Sequence, residues 1–206
     1  MAIVTTWQAD ITGISDTAGL TWTVRKNISN NTNGGPLYFN YYTAKANATL
    51  NADSITVTRA AAGLMSLIVF GISGANTTTP FDTNAGLPNS ATGGAAPTVT
   101  FSTSNANDIL ISMAGDFGGA NAMSAEVGWT LIQDINNAAF INLAAEYKIV
   151  SATQTNATSS LDLQNAKDAT AVVDAIVQAA AVVVSTVRGV VPPVVPAAVP
   201  VVVPPV

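Results

Sequence analysis

Turn-forming residues break this chain about every ten residues, a spacing that leaves room for short strands and for hardly any helix. The densest large-apolar run between two such breaks is Leu64–Met65–Ser66–Leu67–Ile68–Val69–Phe70–Gly71–Ile72, closed by Ser73–Gly74–Ala75–Asn76. It is too short for a typical globular helix. It suits a central strand with both faces covered.

The neighbouring segments read in the same way. Residues 3–12 alternate weakly and predict an edge strand. Leu20–Thr21–Trp22–Thr23–Val24 alternates cleanly, with Leu20, Trp22 and Val24 expected inward. Asn27 to Pro36 has loop composition. Leu37–Tyr42 is an aromatic strand with rings on both faces, and Ser54–Arg59 places Ile55 and Val57 on one side. Thr98–Ser102, Ile109–Ala114, Gly128–Ile132 and Phe140–Val150 are further strands, with a Gly-rich loop expected from Gly115 to Asn121. Residues 161–178 also fit a helix, but the β-branched residues favour strand from Ala171 to Val187. The central run is expected beside Ile109–Ala114 and Leu143–Val150. The fold class is therefore all-β: an antiparallel β-sandwich or jelly-roll-like single domain over residues 1–189.

Two stretches lie outside that pattern. Gly74 to Pro97 is a long irregular loop anchored by Phe81, and long loops in compact domains tend to be functional. Asn76, Phe81, Asp82, Asn84 and Asn89 are its candidate exposed binding residues. Residues 190–206 form a Pro/Val-rich C-terminal arm without a single charge. Its prolines break any helix and would leave backbone groups unpaired in lipid, so a membrane span is not expected. An extended arm is. Disordered tails are usually polar, whereas this one would be adhesive. Val190, Val191, Val194, Val195, Val199, Val201, Val202, Val203 and Val206 are the expected contacts with a neighbouring subunit. Val201–Val203, free of Pro, could add to a sheet edge.

Composition points the same way. Only 9% of residues are charged, against about 25% in ordinary soluble domains. Such a surface must be covered by Thr, Ser and Asn, or hidden in neighbours, which favours an assembly subunit. The net charge is −5, and Arg25–Lys26 is the only pair of adjacent cations, so no nucleic-acid partner is expected. Without Cys there is no disulfide framework, and without His the commonest general base and metal ligand are missing.

The chemistry that remains is thin. Glu126 and Glu146 are the only Glu residues, and no local motif joins them. Glu146 is expected to pair with Lys148 or a cross-strand cation on a solvated face. Asp82, Asp108 and Asp116 fall at predicted loops and read as turn caps rather than Ca²⁺ ligands. No Gly-x-Ser-x-Gly occurs, and Gly115–Gly119 lacks the Lys-Ser/Thr of a phosphate loop. An enzyme is not expected, nor a cofactor or metal. Asn27, Asn30, Asn47, Asn76 and Asn156 begin N-glycosylation sequons. Tyr38, Phe39, Tyr41 and Tyr42 could stack a cell-surface glycan, although one strand cannot turn all four to one face.

Several stretches together resemble a known kind of domain. They are Asp16–Arg25 around Trp22, Ser54–Thr58, Ile68–Ala75 with Thr79–Asp82, Asn107–Ile111, Gly128–Leu131 and Ala145–Val150. The chain resembles the loosely defined β-sandwich domains of phage and viral virion proteins and of prokaryotic surface appendages. The resemblance implies a jelly-roll-like domain for attachment, decoration or display, and it carries no catalytic motif. The expected role is a structural virion protein of a capsid, turret, fibre or tail. It would assemble with copies of itself or with other virion subunits. The alternatives are a subunit of an extracellular filament or pilus, and a carbohydrate-binding adhesin. The first residues, Met1–Trp7, lack the basic and apolar regions of a secretory signal, as expected of a component that leaves its cell by lysis or assembly.

Overall fold

Every regular element among the described residues is a strand: β1 (Ala2–Trp7), β2 (Ile11–Asp16), β3 (Thr23–Asn30), β4 (Leu37–Thr43), β5 (Asp53–Arg59), β6 (Met65–Ala75), β7 (Asn89–Gly93), β8 (Val99–Phe101), β9 (Asn107–Phe117), β10 (Thr130–Ile135), β11 (Ile141–Ser151), β12 (Ala157–Ser159), β13 (Asp168–Val187) and β14 (Val199–Val203). The computed structural model describes residues 1–31, 35–93, 96–118, 122–136, 141–161, 168–187 and 199–203, giving the backbone alone for 168, 180–187 and 199–203. All strand pairings are antiparallel. The protein is all-β.

The strands follow the order β10-β11-β9-β13-β6-β1-β4-β3, with β7 also on β13, a pair β12-β8 and a three-stranded sheet β14-β5-β2. β13 joins two halves of the main sheet. Its first part, Asp168–Val177, pairs with β9, and its last part, Val183–Val187, pairs with β6. The ladder shifts register between Gln178 and Val183. The halves enclose a sandwich-like core. Ile3, Phe39, Tyr41, Ile68 and Phe70 come from one half, and Ile109, Ile111, Met113, Leu143 and Val172 from the other. A second apolar layer, including Val4, Leu67, Ile55 and Val57, lies between the β1–β6 region and the β2–β5 pair. A third, including Leu110, Ala144, Val99 and Phe101, covers the opposite face of β9 and β11.

The central apolar run forms β6, buried on both faces from Met65 to Phe70. It does not stop at Ser73, because β13 supplies ladder partners as far as Ala75. Its ladder neighbours are β1 and β13, and it meets the expected Ile109–Ala114 and Leu143–Val150 segments across the core rather than along a ladder; β13 separates β6 from β9 in the sheet. Residues 3–12 are not an edge strand. β1 is buried at all six positions between β6 and β4, because Thr5 and Thr6 are compact and uncharged enough to sit in the interior.

Three further expectations fail at the ends of strands. Leu20–Trp22 lies outside any strand, and Val24 is 49% exposed. Asn27–Asn30, expected in a loop, continues β3 along β4 to the pair Asn30↔Leu37. Gly115–Phe117 belongs to β9, not to a Gly-rich loop. There Gly115 serves close packing: a Cβ on it would stand 2.4 Å from Thr5 Oγ1 and 3.1 Å from Phe39 Cδ2. The strand expected from Ala171 to Val187 lies within β13.

β3, at the end of the main path, is tied to β13 by side chains rather than by a ladder. Asn30 Nδ2 donates to Ala169 O at 3.1 Å. Arg25 reaches Asp174 through Nε at 3.1 Å and Nη2 at 2.9 Å.

Candidate functional site

β5 has the arrangement that a receiving edge needs. Ile55 and Val57 point into the second apolar layer and are 2% exposed, so their strand is held in place from below. One side of β5 is paired with β2. The other is paired with β14, from Val199↔Val57 to Val203↔Asp53. Val199, Val201, Val202 and Val203 of the predicted arm are thus strand residues on the chain's own β5. Val190, Val191, Val194, Val195 and Val206 lie outside the described residues. β13 ends opposite Val69 in the main sheet, and β14 begins opposite Val57 in the small one.

The end of β5 is anchored by Asp53, which is buried. Its Oδ1 accepts the Thr17 hydroxyl at 2.7 Å and the Ala18 N–H at 2.9 Å. Beside it, Asp16 accepts the Leu20 N–H at 3.0 Å and the Trp22 indole N–H. These bonds fold residues 17–22 over a half-open, mainly apolar cavity of about 950 Å³. Leu20, Trp22, Leu50, Ile55, Phe70 and Phe81 are among its lining residues. Leu20 and Trp22 therefore fulfil an apolar role from a loop rather than from the predicted strand.

The predicted binding loop is folded onto the body. Phe81 bridges to Ile176 and lies under the Arg25 guanidinium, 3.8 Å from the ring centroid. Asn89 begins β7. Asn76 and Asn84 accept backbone N–H groups two or three residues on, as Asx turns do. Asp82 is buried. It accepts the N–H groups of Asn84, Ser104 and Asn105 and the Asn105 side-chain amide. Burial works against its charge, but these donors outweigh it and hold its carboxyl below the usual range.

The remaining acids occupy places that the sequence did not indicate. Asp108 and Asp116 are not loop residues but lie near the two ends of β9, at 0% and 1% exposure. Glu146 is 0% exposed, so the expected solvated face and Lys148 partner are wrong. Its neighbour is Glu126: the Glu126 N–H donates to Glu146 Oε2 at 2.9 Å, and the Glu126 carboxyl lies near enough to push Glu146 up. Glu126 Oε1 also accepts the Ser159 hydroxyl and the Ser160 N–H, both at 2.6 Å. Among the described residues no cluster of three potential metal ligands occurs.

The aromatic strand divides as its alternation requires. Phe39 and Tyr41 are fully buried in the central core, so no glycan can stack on them; Tyr38 and Tyr42 are half-buried. The sequon Asn30 is buried and gives its amide to Ala169. No helix among the described residues is long and apolar enough to cross a membrane. No protein-family model, curated protein or solved structure matches the chain.

Proposed function

We propose that this chain is a non-enzymatic structural subunit of a virion, built on a jelly-roll-like sandwich. It assembles by exchanging its C-terminal strand between copies, so that Val199–Val203 of one copy lies on β5 of the next. The observation that carries this reading is the β5 edge. It is rigidly backed by its own apolar layer, and its partner strand is joined to the body only through residues 188–198, which include Pro192, Pro193 and Pro196. A strand that pairs within one chain across a Pro-rich connection is suited to the same pairing between chains. At about 3.1 Å per residue, an extended 188–198 segment reaches roughly 34 Å, enough to leave its own body. The low surface charge and the apolar cavity beside β5 support the same role.

The chain has no cysteine of its own, so one engineered pair gives a clean test. Val202 lies opposite Ser54. Oxidised Ser54→Cys/Val202→Cys protein is expected to run as covalent dimers and ladders. Cross-links confined to single chains would overturn strand exchange. Truncation after Gly189 is expected to abolish assembly in sedimentation, and normal assembly of the truncated chain would refute the role of the arm.

A further inference from the structure

We infer that three buried carboxyl clusters along one face of β9 and β11 form a proton-operated latch, which holds the outer loops on the main sheet in acid and releases them as the pH rises. Asp108, Ser112 and Asp116 share that face of β9, about 13 Å between successive members. Each is met by an acid from another element, directly or through its cross-strand neighbour. Asp82 comes from the loop before β7 and lies near enough to Asp108 to push it up, while its own carboxyl holds Ser104 and Asn105. Glu126, from the loop before β10, bonds Glu146, which stands opposite Ser112 on β11. Asp134 of β10 faces Asp116. Ser112 and Ser159 exchange a hydroxyl bond at 2.7 Å, which continues from Ser159 to Glu126.

The geometry requires protons at these positions. Both carboxyl oxygens of Asp108, Oε1 of Glu146 and Oδ1 of Asp134 are buried without an N–H or hydroxyl donor among the described residues. An acid lies near each of them: Asp82 by Asp108, Glu126 by Glu146 and Asp116 by Asp134. Two carboxylates in contact in a dry site cannot both be ionised without large repulsion, whereas one shared proton makes a short, strong bond. The charged and titratable neighbours supply no relief. Asp108 lies between Val150 on β11 and Val177 on β13. Asp116 lies between Asn142, whose amide donates to it at 2.7 Å, and Ala169. Lys148, on the same face as Glu146, forms no ion pair with it among the described residues. The ion pair among the described residues, Arg25–Asp174, is elsewhere.

Burial first, and then the neighbouring acid, pushes Asp108 up to about 7; burial pushes Glu146 up to about 8, with the Glu126 N–H opposing and the Glu126 carboxyl adding to the shift. Burial pushes Asp116 up to about 6; Asn142 opposes the shift and Asp134 adds to it. An acid raised on folding stabilises fully below its unfolded value near 4, and the contribution is lost as pH rises through the folded value. The loss therefore begins above about pH 4 and is complete by about pH 6 at Asp116, about 7 at Asp108 and about 8 at Glu146. The segments released are those whose own N–H groups bind the carboxylates: Asn105 on Asp82, Met123 on Asp134 and Glu126 on Glu146.

Hydrogen exchange on the full chain tests the latch. Protection factors at Asn105, Met123 and Glu126, corrected for intrinsic exchange, are expected to fall about tenfold or more between pH 5 and pH 9. Those of β1 are expected to stay within about threefold, because no acid pair touches that strand. Asp108→Asn and Glu146→Gln keep a donor for the partner carboxylate and are expected to flatten the profile at Asn105 and Glu126. Wild-type protection that is unchanged across this range overturns the proposal, as does an unaltered alkaline loss in folded variants. If the variants do not fold, infrared spectroscopy of the wild type decides. A protonated carboxyl band at pH 7 that vanishes by pH 9 supports the latch, and its absence at pH 7 refutes it.

Discussion

Replacing Arg25 with Met probes how the two halves of the sheet are closed. Arg25 reaches from β3 to β13 and bonds Asp174 through two nitrogens at 2.9 and 3.1 Å. The Arg25 side chain is 22% exposed and that of Asp174 0%. Removing one partner of a buried pair costs about 3–5 kcal/mol, because the other charge stays behind uncompensated. The partly exposed guanidinium is screened, which places this pair near the lower end, at about 3 kcal/mol. Met still packs on Phe81, so most of the apolar contact survives, and loss of the cation–π contact adds about 0.5–1 kcal/mol. Asp174 would retain the Ala175 N–H at 3.0 Å and the Tyr41 hydroxyl. Burial already raises Asp174 against the opposing effect of Arg25, and without Arg25 it rises further. An acid with a raised folded value destabilises only above its unfolded range, so the variant's deficit is expected to grow as pH rises from about 4, where it is largely gone, toward 7. Urea unfolding followed by tryptophan fluorescence, wild type against variant at each pH, measures that difference and cancels the background titration. Arg25→Met/Asp174→Asn should recover part of the loss at pH 7. A deficit below about 1 kcal/mol, the value of an exposed pair, or one independent of pH, would refute the reasoning.

Gly115→Ala is expected to cost about 1–3 kcal/mol by overpacking, since the new methyl would fall 2.4 Å from Thr5 Oγ1. Adding Thr5→Ala should return part of it in the same unfolding assay. Asp53→Ala removes the acceptor of Thr17 Oγ1 and Ala18 N–H, both near solvent, and is expected to cost about 1 kcal/mol in thermal unfolding.

Strand residues could be read from the sequence wherever the signal was local. Ile55 and Val57 face one side as alternation requires, and Phe39 and Tyr41 take the core while Tyr38 and Tyr42 do not. What could not be read was set by partners distant in sequence. β1 looked like an edge because its alternation is weak, yet weak alternation is what a strand buried on both faces produces. Ser73–Ala75 and Gly115–Phe117 have turn composition and are strands because β13 and β11 offer them ladders. The acid pairs were the least legible. Asp82 and Asp108, or Glu126 and Glu146, have no motif spacing, since each pair joins a loop to a strand through the fold. The one available signal was misread. An acid on a strand otherwise rich in apolar residues, as Glu146 is between Ala145 and Tyr147, calls for a buried partner as much as for a solvated face.

The buried acids change what the low charge content means. Asp53, Asp82, Asp108, Asp116, Glu146 and Asp174 are all buried, so half of the chain's twelve acids contribute nothing to its surface. The exterior is therefore barer of charge than the 9% composition implies. Because Asp108 and Glu146 are pushed up, the net charge near neutrality is also less negative than the formal −5. Mutual repulsion between copies is correspondingly weak, and weakest in acid, where the latch is closed. Alkaline pH acts in the opposite direction on both counts: it opens the outer loops and charges the subunits alike. If strand exchange and the latch both hold, assemblies of this chain should form most readily below about pH 6 and loosen above about pH 8, and Glu146→Gln/Asp108→Asn should extend assembly into the alkaline range. Sedimentation across that range measures this directly. Assembly that strengthens with rising pH would contradict the pairing of the two ideas, even where each survives its own test.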